Sequence, residues 1–279
     1  MRPVLAVLLA TGAAAGATAA VLQPGHDAGA PPRAPVQRPL PAPDAAPPRR
    51  PAALAAELAV TTRRLDAALG DWNPAGQVPR AVTSLALYQQ RLLRLMAARR
   101  ALGDATLARL PADVRGFAAD TVRAQRSLAA IPRSPGRAPP VRVVRPAPAA
   151  ELRGDYAAAQ RRFGVPWSVL AAVNFVESAF GRIRSASEAG ARGPMQFLPA
   201  TWRRYGMGGD IEDPRDAIVA AANYLRRSGA PAHLDRALFS YNHSSAYVRA
   251  IRRFAHRMAA DGQAFLSYYA WHVFVRTAK

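Results

Sequence analysis

Hydrophobic residues recur at helical spacing along most of the chain. Leu54, Leu58, Leu65 and Leu69 stand three to four residues apart or at multiples of that spacing, and Val82, Leu85, Leu92 and Met96 repeat the pattern. Residues 52–131 are therefore predicted to hold two or three amphipathic helices. Gly70-Asp71-Trp72-Asn73-Pro74 separates the first from the second, and Leu110-Pro111-Ala112-Asp113 opens a further one. Proline suits that position because the first turn of a helix has no use for its missing N–H. Beyond residue 148 every segment again reads as helix: Ala149–Phe163, Pro166–Phe180, Pro199–Tyr205, Pro214–Arg227, Leu234–Tyr241, Ser245–Ala260 and Gln263 to about Val275. Strand signals are scarce, so the fold class is all-α. One segment breaks the amphipathic rule. Val169 to Phe180, VLAAVNFVESAF, is apolar nearly all round, which marks a buried helix, yet it carries one acid, Glu177.

Composition divides the chain. Residues 23–51 are dense in Pro and Ala with almost no large apolar side chains, and cannot build a core; they read as an extended spacer. Residues 132–148 are rich in Pro and Arg around a short run from Val141 to Val144, and a domain boundary is expected there. The expected plan is a signal peptide or N-terminal anchor over 1–22, the 23–51 spacer, a helical accessory region over 52–131, the 132–148 linker and a catalytic domain over 149–279. The leader reading rests on Met1-Arg2, the apolar run from Val4 to Leu9 and small residues near Ala17-Thr18-Ala19. Whether such a segment is cleaved or retained, the bulk of the protein is expected outside the cytoplasm. Nothing in residues 52–131 carries obvious chemistry, so packing and partner binding both stay open for it.

Charge and cysteine content narrow the partners. The chain has 38 Lys+Arg against 18 Asp+Glu, a formal charge of +20, and no cysteine. Disulfides, thiolate metal sites and a Cys nucleophile are excluded. Such a charge draws a protein to polyanions. Nucleic acid is not expected, because zinc spacing, RNP-type aromatics and a basic heptad region are all missing. Anionic cell-wall polymers or a membrane surface fit an exported protein better, unless the arginines only reflect composition bias. His233, His243, His256 and His272 are too spread out to suggest a metal site, and no cofactor is expected.

The candidate chemistry gathers around Glu177. Gly164 closes the preceding helix and Pro166 starts the new one; Leu170, Val173 and Asn174 share the face of the acid. Gly181 follows four residues later, which puts the carboxyl in the last turn, near the negative end of the helix dipole. Burial and dipole both favour the protonated state that a general acid needs. The plain alternative is a Glu reaching solvent at a helix end or pairing with Arg182 or Arg184. Downstream, Ser185 to Gly193 is a small-residue loop able to bring backbone close to a ligand. Met195, Gln196 and the aromatics after them would line a sugar site with a polar edge and apolar faces.

The order Glu177-Ser178, Ser187, Gly190-Ala191, Gly193-Pro194-Met195-Gln196, Pro199-Ala200-Thr201, Asp213-Pro214, Asn223-Tyr224-Leu225 and Tyr241-Asn242 resembles the soluble lytic transglycosylase (SLT) family. The resemblance runs from about Tyr156 to Met258. It implies a goose-type-lysozyme-like helical catalytic domain that cleaves the β-1,4 bond between N-acetylmuramic acid and N-acetylglucosamine in peptidoglycan without water, leaving 1,6-anhydromuramic ends. By position, Glu177 resembles the single catalytic acid/base. Ser187 falls where the family has a substrate-contacting Ser, with Ser185 as the fallback. Met195 and Gln196 fall on a glycan-contacting pair, and Tyr241 and Asn242 on a pair near the acid whose phenol can orient the carboxyl. Peptidoglycan glycan strands are then the implied partner.

Two departures stand out: Pro194 replaces a frequent Leu, and His243-Ser244 follow Tyr241-Asn242 where Ala-Gly is frequent. A hydrolytic lysozyme would need a second carboxylate. Glu188, Asp210, Glu212 and Asp213 are nearest in sequence, and Asp213 before Pro214 reads as a helix N-cap. A wall-binding protein without turnover is the non-enzymatic alternative.

Overall fold

The computed structural model describes residues 38–132 and 141–274. The leader expected over 1–22, the first part of the 23–51 spacer and the middle of the 132–148 linker lie outside the described residues.

Eleven helices are described: α1 (Pro51–Gly70), α2 (Arg80–Ala98), α3 (Arg100–Leu107), α4 (Ala112–Ala129), α5 (Ala149–Phe163), α6 (Trp167–Ser178), α7 (Pro199–Tyr205), α8 (Pro214–Arg227), α9 (Leu234–Tyr241), α10 (Ser245–Ala260) and α11 (Ala264–Tyr269). The only extended pairing among the described residues is two isolated antiparallel bridges, Val143 with Ile183 and Arg192 with Phe197. No described helix is long and apolar enough to cross a membrane.

Residues 52–131 hold four helices, more than periodicity alone suggested. The chain breaks at Arg99 (φ −106°, ψ 87°) and α3 turns back against the end of α2. The approach is so close that a Cβ on Gly103 would lie 2.1 Å from the Met96 carbonyl oxygen, so only glycine fits.

One apolar core runs from Leu54 to Trp271, with α10 at its centre. One side of α10 packs along α4 and another along α6, while α5 packs on α6 and α8. The sequence explains the position of α10. Its stripe of Tyr247, Val248, Ile251, Phe254, Ala255 and Met258 is buried, Arg249 and Arg252 face out, and Ser244 caps it by accepting the Tyr247 N–H at 3.3 Å. Asp213 caps α8 in the same way, accepting the Asp216 N–H at 2.9 Å. Behind α6, Phe175 stacks on Phe180 (5.3 Å) and Tyr268 (5.2 Å) and meets Phe254 (5.0 Å) and Trp271 (5.9 Å) edge-on.

Both described chain ends are bound by the first helices. Arg38 pairs with Glu57 at 2.8 Å, Arg64 donates to the Arg38 and Pro39 carbonyls, and Arg91 donates to the Pro43 and Asp44 carbonyls. At the other end, the helix expected over Gln263–Val275 stops at Tyr269. The backbone N–H and C=O of His272 are each taken at 3.0 Å by the side-chain amide of Gln90, and the Trp271 indole donates to Gln89 at 3.3 Å. These peptide groups find their partners on α2 instead of in a continued helix.

Candidate active site

Helix α6 ends two residues earlier than its hydrophobic run. Ala179 (φ 52°), Phe180 (φ 63°) and Gly181 (φ 81°) are all left-handed, which for the two non-glycine residues costs about 1 kcal/mol or more each. The reversal is held by hydrogen bonds. The Ala179 N–H donates to the Phe175 carbonyl at 2.9 Å and the Phe180 N–H to that of Asn174 at 3.2 Å. Ser178 Oγ accepts the Gly181 N–H at 2.8 Å and donates to the Pro194 carbonyl at 2.5 Å. Asn174 Nδ2 donates to the same carbonyl at 2.8 Å, while its Oδ1 accepts the Tyr156 hydroxyl at 2.6 Å. This buried network fastens the Gly193–Gln196 turn to the last turn of α6. Asn174 and Ser178 thereby gain roles that periodicity did not reveal.

Glu177 sits in that last turn with 4 % of its surface exposed. Burial in apolar surroundings raises its pKa to about 8, against a weaker downward pull from a hydrogen bond. The donor is Tyr247, whose hydroxyl stands 2.7 Å from Glu177 Oε1 and which is itself fully buried. Neither arginine offered as a partner pairs with the acid. Arg182 donates to the Ala179 and Tyr269 carbonyls at 3.1 and 2.6 Å, and Arg184 engages Glu212.

The Gly193–Gln196 turn is closed by the Arg192–Phe197 bridge, with reciprocal backbone bonds of 2.8 and 2.9 Å. A Cβ on Gly193, left-handed at φ 74°, would lie 1.8 Å from the Ile211 carbonyl oxygen. Within the turn the side chain of Met195 is fully buried, and its carbonyl accepts the Tyr241 hydroxyl at 2.7 Å. Gln196 is left-handed at φ 49° and half-buried, and its amide donates back to the Gly193 carbonyl at 3.0 Å. Asn242 is buried, and its Oδ1 lacks a hydrogen-bond partner among the described residues. Burial first, and Glu177 second, push the Tyr241 phenol well above its ordinary pKa.

Glu177, Met195, Gln196, Tyr241 and Asn242 are thus joined through α6, its turn and the end of α9. Ser187 stands apart in the 185–191 loop. Its Oγ accepts the Ala191 N–H at 2.8 Å and its own N–H donates to the Ala191 carbonyl at 2.9 Å, closing the loop on itself. Ser185 Oγ accepts the Arg142 N–H at 2.6 Å. His243 is exposed and meets Phe239 edge-on at 5.6 Å. The phenol on the carboxyl is that of Tyr247, whereas Tyr241 reaches the Met195 carbonyl. Sequence reasoning missed Tyr247 because it reads as one more member of the α10 stripe. A tyrosine in a wholly apolar stripe still needs a partner for its hydroxyl, and that was the available signal.

The other carboxylates have structural work. Glu212 pairs with Arg184 at 3.4 Å and Arg192 at 3.5 Å, Asp213 caps α8, and Asp210 Oδ1 accepts the Glu212 N–H at 2.9 Å. Glu188 is exposed on the loop. No group of three or more potential metal ligands gathers among the described residues.

Residues 156–261, which take in α6, the turn and all of α10, match the family described as Transglycosylase SLT domain. The chain carries an SLT domain. Its helical fold is the lysozyme-like one, and the SLT residues enclose every candidate named above. Across 125 residues the chain is 32% identical to the membrane-bound lytic murein transglycosylase F of Thiobacillus denitrificans, an alignment covering 42% of this chain and 26% of that protein. The chain therefore spans about a quarter of the length of the curated relative it matches. No solved structure matches the chain.

Proposed function

We propose that the protein is a peptidoglycan lytic transglycosylase that cleaves the N-acetylmuramoyl-β-1,4-N-acetylglucosamine bond and leaves a 1,6-anhydro end. The observation that carries this reading is a buried acid, Glu177, with a pKa raised to about 8 by burial, a hydrogen bond from the Tyr247 hydroxyl and no salt-bridge partner among the described residues. A group in that state is protonated at neutral pH and can give up its proton. Glu177 protonates the glycosidic oxygen as the C1–O bond breaks, so the departing sugar leaves with a free hydroxyl. The carboxylate then takes the proton from the muramoyl C6 hydroxyl while that oxygen bonds to C1. Atoms and protons balance without water, and one residue serves as acid and then as base.

Residues 149–279 act as the catalytic part in this reading, with residues 52–131 as the helical region that backs α10. Ser187, Gln196 and Asn242 are offered as glycan contacts, the Asn242 side-chain oxygen, Oδ1, having no hydrogen-bond partner among the described residues. The buried Met195 contributes mainly through its carbonyl, which anchors Tyr241. We place the enzyme in the cell envelope, where its charge of +20 holds it near anionic polymers or a membrane surface. The test is digestion of purified peptidoglycan by wild type and Glu177→Gln with mass analysis of the muropeptides. Products from the wild type are expected to lack one water relative to reducing ends, and the variant to lose activity about 100-fold or more. Reducing ends would establish a hydrolase, and an inactive wild type would favour a wall-binding role.

A further inference from the structure

The α10 tyrosine suggests how a single carboxyl changes from acid to base. We propose that Tyr247 is a positioning residue for Glu177: its hydroxyl fixes which carboxyl oxygen carries the proton and then holds the carboxylate until the second proton transfer. This rests on the assignment of Glu177 as the acid/base.

A phenol at its neutral state has one proton to donate, and Tyr247 spends it on Glu177 Oε1 at 2.7 Å. While that bond lasts, Oε1 is an acceptor, and the carboxyl proton resides on Oε2, the oxygen left for the substrate. When Glu177 gives that proton away, the same bond becomes charge-assisted and stronger, so the anion is stabilised in a site that otherwise disfavours it. Tyr247 keeps its own proton throughout. Burial and the adjacent Glu177 hold its pKa well above the ordinary value.

The surroundings make the hydroxyl a fixed point. Tyr247 lies in the first turn of α10, three residues after the Ser244 cap, with none of its surface exposed. Helix α10 is packed between α4 and α6, so the donor and the acid stand on two helices in direct contact. Tyr241, the other phenol near the acid, is committed to the Met195 carbonyl and cannot replace it without releasing the turn.

The test compares the pH dependence of peptidoglycan cleavage by wild type, Tyr247→Phe and Tyr241→Phe. Activity requires protonated Glu177 and falls as pH rises through its pKa. Loss of the Tyr247 bond removes a downward pull on that pKa. The alkaline limb for Tyr247→Phe is therefore expected to move up by about one pH unit, with kcat reduced about tenfold or more and KM little changed. For Tyr241→Phe the limb is expected to stay in place while the rate falls. An unshifted or downward-shifted limb for Tyr247→Phe would overturn the proposal. A second measurement needs no Tyr247 variant: the difference infrared spectrum of wild type minus Glu177→Gln reports the Glu177 C=O stretch. A hydrogen-bonded position supports the proposal, and the position of a free carbonyl overturns it. A Glu177→Gln protein that still releases anhydro products would instead refute the assignment of the acid itself.

Discussion

Glu177 is held at odds with folding. An unfolded Glu titrates near the ordinary carboxylate value, whereas the folded protein raises it to about 8. A raised acid contributes stability that is whole below the unfolded pKa and drains away as pH climbs from there towards the folded pKa. At pH 7 most of that loss has occurred. Glu177→Gln, which can still accept the Tyr247 hydrogen bond, is expected to stabilise the protein by on the order of 2 to 3 kcal/mol at pH 7. The advantage should shrink towards nothing near pH 4. Denaturant titrations of both proteins at the two pH values measure it, and a gain of equal size at both would contradict the linkage argument.

At the scale of elements, the site depends on a short turn fastened to the last turn of α6. Gly193→Ala would drive a methyl into the Ile211 carbonyl and force a left-handed alanine. The variant is expected to lose about 2 to 4 kcal/mol of stability and most of its activity. Thermal unfolding and peptidoglycan digestion together check this. How far such features could be read in advance depended on their physics. The burial of α6 followed from apolar residues all round it, and Asp213 as a cap followed from its place before Pro214. The early end of α6 did not, because the Ala179 and Phe180 N–H groups turn back onto the Phe175 and Asn174 carbonyls, and the turn is secured by the Asn174 and Ser178 side chains donating to the Pro194 carbonyl, a contact across sequence that periodicity does not contain. Tyr247 was hidden for a related reason. Its spacing fits a packing stripe perfectly, and only the third dimension shows that its hydroxyl meets a carboxyl.

On the scale of the molecule, the helices on either side of residues 133–140 share one core and meet chiefly where α4 lies along α10. Asp120 on α4 is the polar lock of that seam, accepting from Arg257 at 2.8 Å beside Arg253 and His256. Asp120→Ala leaves a partly buried arginine unpaired. It is expected to cost about 1 to 3 kcal/mol and to slow cleavage as α10 loosens, with thermal unfolding and kcat falling together. Unchanged kcat beside a lowered melting temperature would show that the seam does not reach the site.

The rings that back α6 come from far along the chain. Gln89 waits for Trp271 across 182 residues, and Thr121 for Tyr268 across 147. Contacts of that separation form late and slowly. During synthesis α6 emerges well before Tyr268 and Trp271 exist to pack on Phe175, so the aromatic cluster behind the helix is completed by its most distant members. The packing behind α6 is thereby completed only when the α11 segment has been made and has docked. The same long-range stitching that closes the core also makes its aromatic centre the last part to be assembled.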